Sequence, residues 1–341
     1  MTPKYKMGLT DEISKNALFV CVLMGLFAVI GLADNIMLFR ALVKYKKTRI
    51  GLFALAAGLA IADVLYLALG IPVGILYETN NVELLLNSEP FCKVEAYLSH
   101  TFTYIAAYHL VAFAVLRAIV LTSRSRRGPT FVQGVLCSLC LWILALLANV
   151  PMLTLDDETH ELLCLLKFDY SLEQFLLISL GFSFVLPVVL ISLIYFATYL
   201  VCRRFCEDSY SPRQRQFSKL VSIVISVFIA LWLPVNILHL VILYKDQAIA
   251  DMPMDPALQA QRIQKYYEMD VLYTVRDYFI AIAHLDKFIR PIIYAKMSRD
   301  FGKSFDEVVN CNSCFKDDER RGNSSSTAPL AGTDPCPEEV L

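Results

Sequence analysis

Long runs of apolar residues recur seven times along the chain, separated by short polar connections. They cover approximately Asn16–Val43, Gly51–Tyr77, Val94–Thr122, Thr130–Leu155, Leu172–Cys202, Phe217–Tyr244 and Val271–Ala295. Each holds at least about 20 mostly apolar residues, enough to cross a hydrocarbon core of ~30 Å as a helix. Backbone polar groups have no water to bond in lipid, so such runs span as helices. Buried helices of soluble proteins are shorter, about 10–14 residues. The pattern predicts an all-α membrane protein, a seven-transmembrane helix bundle over residues 16–295. A polar segment, 1–15, precedes it. Past the last run Phe301, Phe305, Val308 and Val309 fall on one helical face, which predicts a short cytoplasmic amphipathic helix over 296–310 lying against membrane lipids. Residues 311–341 are polar and read as a disordered tail.

Composition agrees. The chain is 57% hydrophobic and 18% charged, with mean hydropathy +0.53, against roughly 45–50% and about 25% in soluble domains. This excludes a disordered chain, a nucleic-acid-binding protein and most soluble enzymes. A net charge of −1 gives no global field to recruit a polyanion. The first apolar run is too long for a signal-peptide core and has no small-residue cleavage site, so it reads as a retained anchor.

Charge in the connections sets the orientation. Fifteen Lys and Arg follow the first, third, fifth and seventh runs, and five lie in the other connections. The basic side is cytoplasmic, so the N-terminus lies outside. The outer connections carry acidic residues, among them Asp156, Asp157, Glu158 and Asp246. An acidic mouth favours a cationic ligand, although the topology rule alone also empties outer loops of Lys and Arg. Of ten cysteines only Cys92 and Cys164 face the oxidising side, where two lone thiols most simply pair. Two free thiols are the alternative.

Polar residues inside the runs need partners or a role. Asn35, Asp63, Asp286, Lys287, Arg290 and Arg117 are the notable ones, and Pro72, Pro187, Pro234 and Pro291 each free a helical carbonyl. In this setting the chain resembles the rhodopsin-like (class A) G-protein-coupled receptors. The landmarks are Asn35, Leu59-Ala60-Ile61-Ala62-Asp63, Cys92 twenty-five residues before Arg117, Trp142, Pro187 with Tyr195, Phe228 with Trp232-Leu233-Pro234, and Pro291-Ile292-Ile293-Tyr294. The resemblance implies a receptor rather than an enzyme. A heterotrimeric G protein would enter a cytoplasmic crevice lined by Arg117, Tyr195 and Tyr294, while Phe228, Trp232 and Pro234 let the sixth helix swing.

Two departures stand out. The arginine motif reads Leu116-Arg117-Ala118, without the family's adjacent acid, and Gln214 stands where a second acid often helps hold the arginine. This points to raised basal signalling, to a receptor that binds without signalling, or to an arginine that merely snorkels to lipid phosphates. Before Pro291 the family has Asn or Asp; this chain has Arg290. The resemblance implies sodium at Asp63, yet Ala106 replaces the usual hydroxyl ligand. Arg290 is expected to stand in for sodium by pairing with Asp63 and Asp286, or else to face the inner headgroups.

Other family chemistry is disfavoured. The lysine that would hold retinal is His284 here, so no cofactor is expected. The aspartate of amine receptors is Ser99. Candidate ligand contacts are Tyr97, Ser99, His100, Thr103, Tyr104, Trp232, Asn236, His239, Tyr273 and Arg276, with Arg276 able to grip a carboxylate. The mix suits an extracellular peptide or a small polar ligand, with the peptide favoured. Cys311 and Cys314 are candidate palmitoylation sites, and Ser324–Thr327 offers the tail to receptor kinases and arrestin. A transporter would show inverted repeats or midplane ligand clusters, and the sequence shows none.

Overall fold

The computed structural model describes residues 10–44, 51–79, 89–122, 128–153, 177–205, 211–253 and 255–297. Among them the regular elements are helical. They are α1 (Thr10–Lys44), α2 (Gly51–Glu78), α3 (Glu89–Thr122), α4 (Phe131–Leu153), α5 (Leu186–Phe205), α6 (Pro212–Ala250), α7 (Gln259–Ala283) and α8 (Leu285–Met297). A π-helical turn, Gly181–Val185, leads into α5. Its widened bonding, with Leu186 N–H reaching the Gly181 carbonyl, comes just before Pro187, which has no N–H to give. The expected amphipathic helix past Met297, the tail with Cys311 and Cys314, Cys164 and the Cys92 side chain all lie outside the described residues.

Among the described residues six helices, α1 to α6, are long and apolar enough to cross a membrane. The seventh run departs from the single apolar helix the sequence pattern predicts. It divides at His284 into the end of α7 and α8, and it carries Arg276, Asp277, Asp286, Lys287 and Arg290. It belongs in the bundle because its charges are matched internally, not because it is greasy. α1 also begins inside the segment expected to be a polar N-terminus.

The core of the bundle is mostly apolar and encloses a small set of polar and charged residues, and the bundle's outer surface is apolar too. Leu18, Val29, Leu144, Leu147 and Phe196 are exposed on its outer surface, where lipid tails solvate them. Buried at the interfaces are small residues: Ala41, Ala56, Ala60, Ala107 and Ala114. They let backbones approach closely, which is the main source of helix association in lipid. Gly58 shows how tight the fit becomes. A Cβ there would lie 1.9 Å from Ser138 Oγ, because His109 and Ser138 hydrogen bond at 2.9 Å beside it.

α6 runs 39 residues, or ~58 Å at 1.5 Å per residue, about twice a hydrocarbon core. It starts at a capping box, with Ser211 and Gln214 bonded reciprocally and Pro212 in the first turn. Its far end pairs with the start of α7. Ile242, Ile249 and Met269 form a small core there with Tyr266, Leu272 and Tyr273 packed around it.

Candidate functional site

Asp63 on α2 and Asp286, Lys287 and Arg290 on α8 come together in the middle of the bundle, each 1–3% exposed. On α8 Arg290 lies beside both Lys287 and Asp286 because they precede it by three and four residues. Arg290 donates through Nη1 to Asp63 Oδ2 at 2.7 Å. It donates through Nε to Asp286 Oδ1 at 2.9 Å and through Nη2 to Asp286 Oδ2. Lys287 Nζ lies 3.7 Å from Asp63 Oδ1 and 4.2 Å above the Tyr66 ring. Two carboxylates face two cations, so the cluster is neutral as a whole. Breaking any pair leaves an uncompensated charge in a low-dielectric core. Arg290 does not face the headgroups.

Local structure aims these side chains. His284 marks a tight turn in which Lys287 N–H bonds the His284 carbonyl at 3.1 Å. The ring Nδ1–H of His284 donates to Ile280 O at 2.6 Å, so Nε2 accepts from Tyr66 Oη–H at 3.3 Å. Pro291 leaves the carbonyl four residues back, Lys287 O, without its helical donor. Asn35 Nδ2 fills that vacancy at 2.9 Å, which ties α1 to α8. Trp232 on α6 donates through Nε1 to Asp286 Oδ2 at 3.4 Å, so α6 meets the same carboxylate that holds Arg290. Phe228 stacks next to Trp232, with ring centroids 6.5 Å apart.

A second constellation lies nearer the other ends of α3 and α6. Arg117 Nε donates to Ser218 Oγ at 2.8 Å, and its guanidinium sits 4.2 Å over the Tyr195 ring. Tyr195 Oη and Ser222 Oγ hydrogen bond at 3.0 Å. Gln214 Nε2 donates to Val120 O at 3.1 Å while its Oε1 accepts from Ser211 N at 3.0 Å. Arg117 therefore points into the bundle rather than snorkelling. Neutral partners on α5 and α6 hold it where acids are missing. Tyr294 is buried in the hydrophobic cluster that also holds Leu38, Phe113 and Val224.

The candidate ligand contacts divide. Tyr97 Oη is spent on Leu146 O at 2.9 Å, and Thr103 Oγ1 on Ser99 O at 2.9 Å. Asn236 Nδ2 bonds Trp232 O at 2.7 Å. His100 and Ser179 hydrogen bond at 3.1 Å across α3 and the start of the fifth span. Tyr104 is buried beside Tyr108, and His239 is exposed. Arg276 needs correction as a free grip for a carboxylate. Its Nε and Nη2 both donate to Asp277 Oδ1, at 2.9 and 2.7 Å, and its guanidinium lies 4.9 Å over Tyr273. Its charge is matched within the chain.

A family model described as "7 transmembrane receptor (rhodopsin family)" matches residues 34–294. The chain belongs to this family. It is 26% identical over 330 residues to the C-C chemokine receptor type 1 of Homo sapiens, covering 91% of this chain and 87% of that protein. It is 27% identical over 320 residues to the neuropeptides B/W receptor type 1 of Mus musculus, covering 87% and 88%. To the C-C chemokine receptor type 3 of Macaca fascicularis it is 28% identical over 299 residues, covering 84% and 78%. The protein is thus a multi-pass membrane receptor that couples to G proteins, and not an enzyme. Neither a transporter nor a silent decoy is favoured by these relatives.

For this rhodopsin-family receptor, sequence reasoning missed the neutral supports. Ser218 and Ser222 gave no signal because serines are common in apolar helices. Tyr66 was invisible because nothing in its neighbourhood announces a cation above its ring.

Proposed function

We propose that this receptor takes a peptide at its extracellular mouth and passes the signal to a heterotrimeric G protein at the Arg117 end, with that end in the cytosol. Orientation rests on the excess of Lys and Arg in the connections on that side. The peptide reading is supported by the chemokine and neuropeptide receptors the chain resembles and by the hydrogen-bonding aromatic and polar groups near the other end. The ligand's mouth includes His100, Tyr104, His239 and Tyr273, with Ser99 and Arg276 beside them. Binding shifts a two-state bundle, because a ligand moves an equilibrium only by binding one state better. α6 carries the change, since it touches the mouth, Trp232 and Arg117 along one helix. Cys92–Cys164 pairing steadies the top of α3, and the tail of residues 311–341, with lipidated Cys311 and Cys314, serves receptor kinases and arrestin.

The observation that carries this reading is the continuity of α6 from the outer hairpin to Ser218. The test is a G-protein dissociation sensor in cells expressing the full chain, challenged with peptide and amine libraries. A saturable response to a peptide, lost in Tyr273→Ala, is expected. A response to amines alone, or sensor activation with an epitope at residue 341 found outside the cell, overturns it.

A further inference from the structure

We propose that Lys287 and Arg290 fill the core cation position with the chain's own charges, so that the receptor's conformational equilibrium is indifferent to sodium. Family resemblance implies a sodium ion at Asp63, and the residues present do not fit one. A hard cation needs several oxygen ligands. Here Asp63 Oδ2 is taken by Arg290 Nη1 at 2.7 Å. Both oxygens of Asp286 are taken by the same guanidinium. Ala106 offers no oxygen, and it is buried. Among the described residues no group of three His, Cys, Asp or Glu side chains is placed to hold a metal ion.

One atom argues the other way and decides in the end for the proposal. Asp63 Oδ1 is buried and has no hydrogen-bond partner, so it is the oxygen on which an ion would land. The Lys287 ammonium stands 3.7 Å from it, held over Tyr66. An added sodium would meet two positive groups and turn a neutral cluster into a net cation inside the membrane, where uncompensated charge is costly. Arg290 and Lys287 are tethered, so they do not exchange with the medium. Lys287 is the cation whose place, beside Asp63 and over Tyr66, only the structure supplies. With Arg290 alone, two carboxylates would keep one negative charge open to a cation.

The experiment is thermal unfolding of the purified full-length receptor in sodium chloride, potassium chloride and choline chloride at equal ionic strength. The wild type is expected to melt within about 1 °C in all three. Lys287→Met with Arg290→Asn uncovers both carboxylates, and its Tm is expected to rise by about 2–4 °C in sodium over choline. A saturable, sodium-specific rise in the wild type that Asp63→Asn abolishes overturns the proposal. So does a folded double variant that ignores sodium. If the double variant does not fold, the wild-type comparison and Lys287→Met alone decide: sodium stabilising the wild type overturns the proposal, and sodium stabilising only Lys287→Met supports it.

Discussion

Arg290 makes three hydrogen bonds to two carboxylates on two helices, and its neighbours Lys287 and Asp63 complete a zero sum of charge. Removing one member unbalances the rest. Arg290→Ala leaves net −1 and Asp63→Ala leaves net +1 in the core, each costing about 3–5 kcal/mol. Both single variants should lose most surface expression by flow cytometry. The double variant leaves the charges of Asp286 and Lys287 balancing each other and should recover part of it; strict additivity would remove the case for coupling. The same scale governs Arg117. Ser218→Ala deletes the α6 acceptor that holds its Nε, a bond to a charged group worth about 1.5–3 kcal/mol. Ligand-free G-protein signalling should rise several-fold. Leu116→Asp, which supplies the missing acid beside Arg117, should lower it. Unchanged basal output in both would separate Arg117 from the resting state.

Helix contacts set the next level. α2 meets α4 at a point where neither can accept a methyl group. A Cβ on Gly134 would lie 2.5 Å from Gly51 O and 2.9 Å from its Cα. Backbone cannot step aside as a side chain does, so Gly134→Ala must part the two helices. A loss of about 1–3 kcal/mol follows from overpacking, read as a lower Tm of the purified receptor. A Tm equal to wild type would mean that α4 shifts freely. One polar side chain fastens α1 to α8, in addition to the Phe27–Phe288 ring pair at 5.5 Å. Asn35 supplies the donor that Pro291 withdraws from Lys287 O, so a kink that looks like a defect in the seventh span is the place where α1 is fastened.

At the scale of the molecule, the crossing that carries the most charge keeps Asp286, Lys287 and Arg290 buried, and α6 is the helix that runs past both constellations. It runs from Ser211 at one end, past Ser218 and Trp232, to a hairpin with α7 that has its own core of Ile242, Ile249 and Met269. The turn is fastened by Arg262, whose Nη2 donates to the carbonyls of Met252 and Ile249. Arg262→Ala should loosen this tip without unfolding the bundle. Hydrogen exchange should rise at residues 245–265 and stay level in α2 and α3; a uniform rise would show that the hairpin is part of the core's stability.

The sequence alone determined the class of molecule. Runs of about 20 apolar residues leave the backbone no alternative to spanning helices, and the ordered landmarks from Asn35 to Tyr294 placed the chain in its family. The family resemblance put Arg290 opposite Asp63, and a cation deep in a span needs an anion. Tertiary structure decided what periodicity cannot carry. It divided the seventh span at His284, set Lys287 over Tyr66, gave Arg117 the hydroxyl of Ser218 and matched Arg276 to Asp277. Those outcomes depend on which faces of separate helices meet. An aromatic ring or a serine becomes a partner only when a neighbouring helix brings a charge to within a few ångströms.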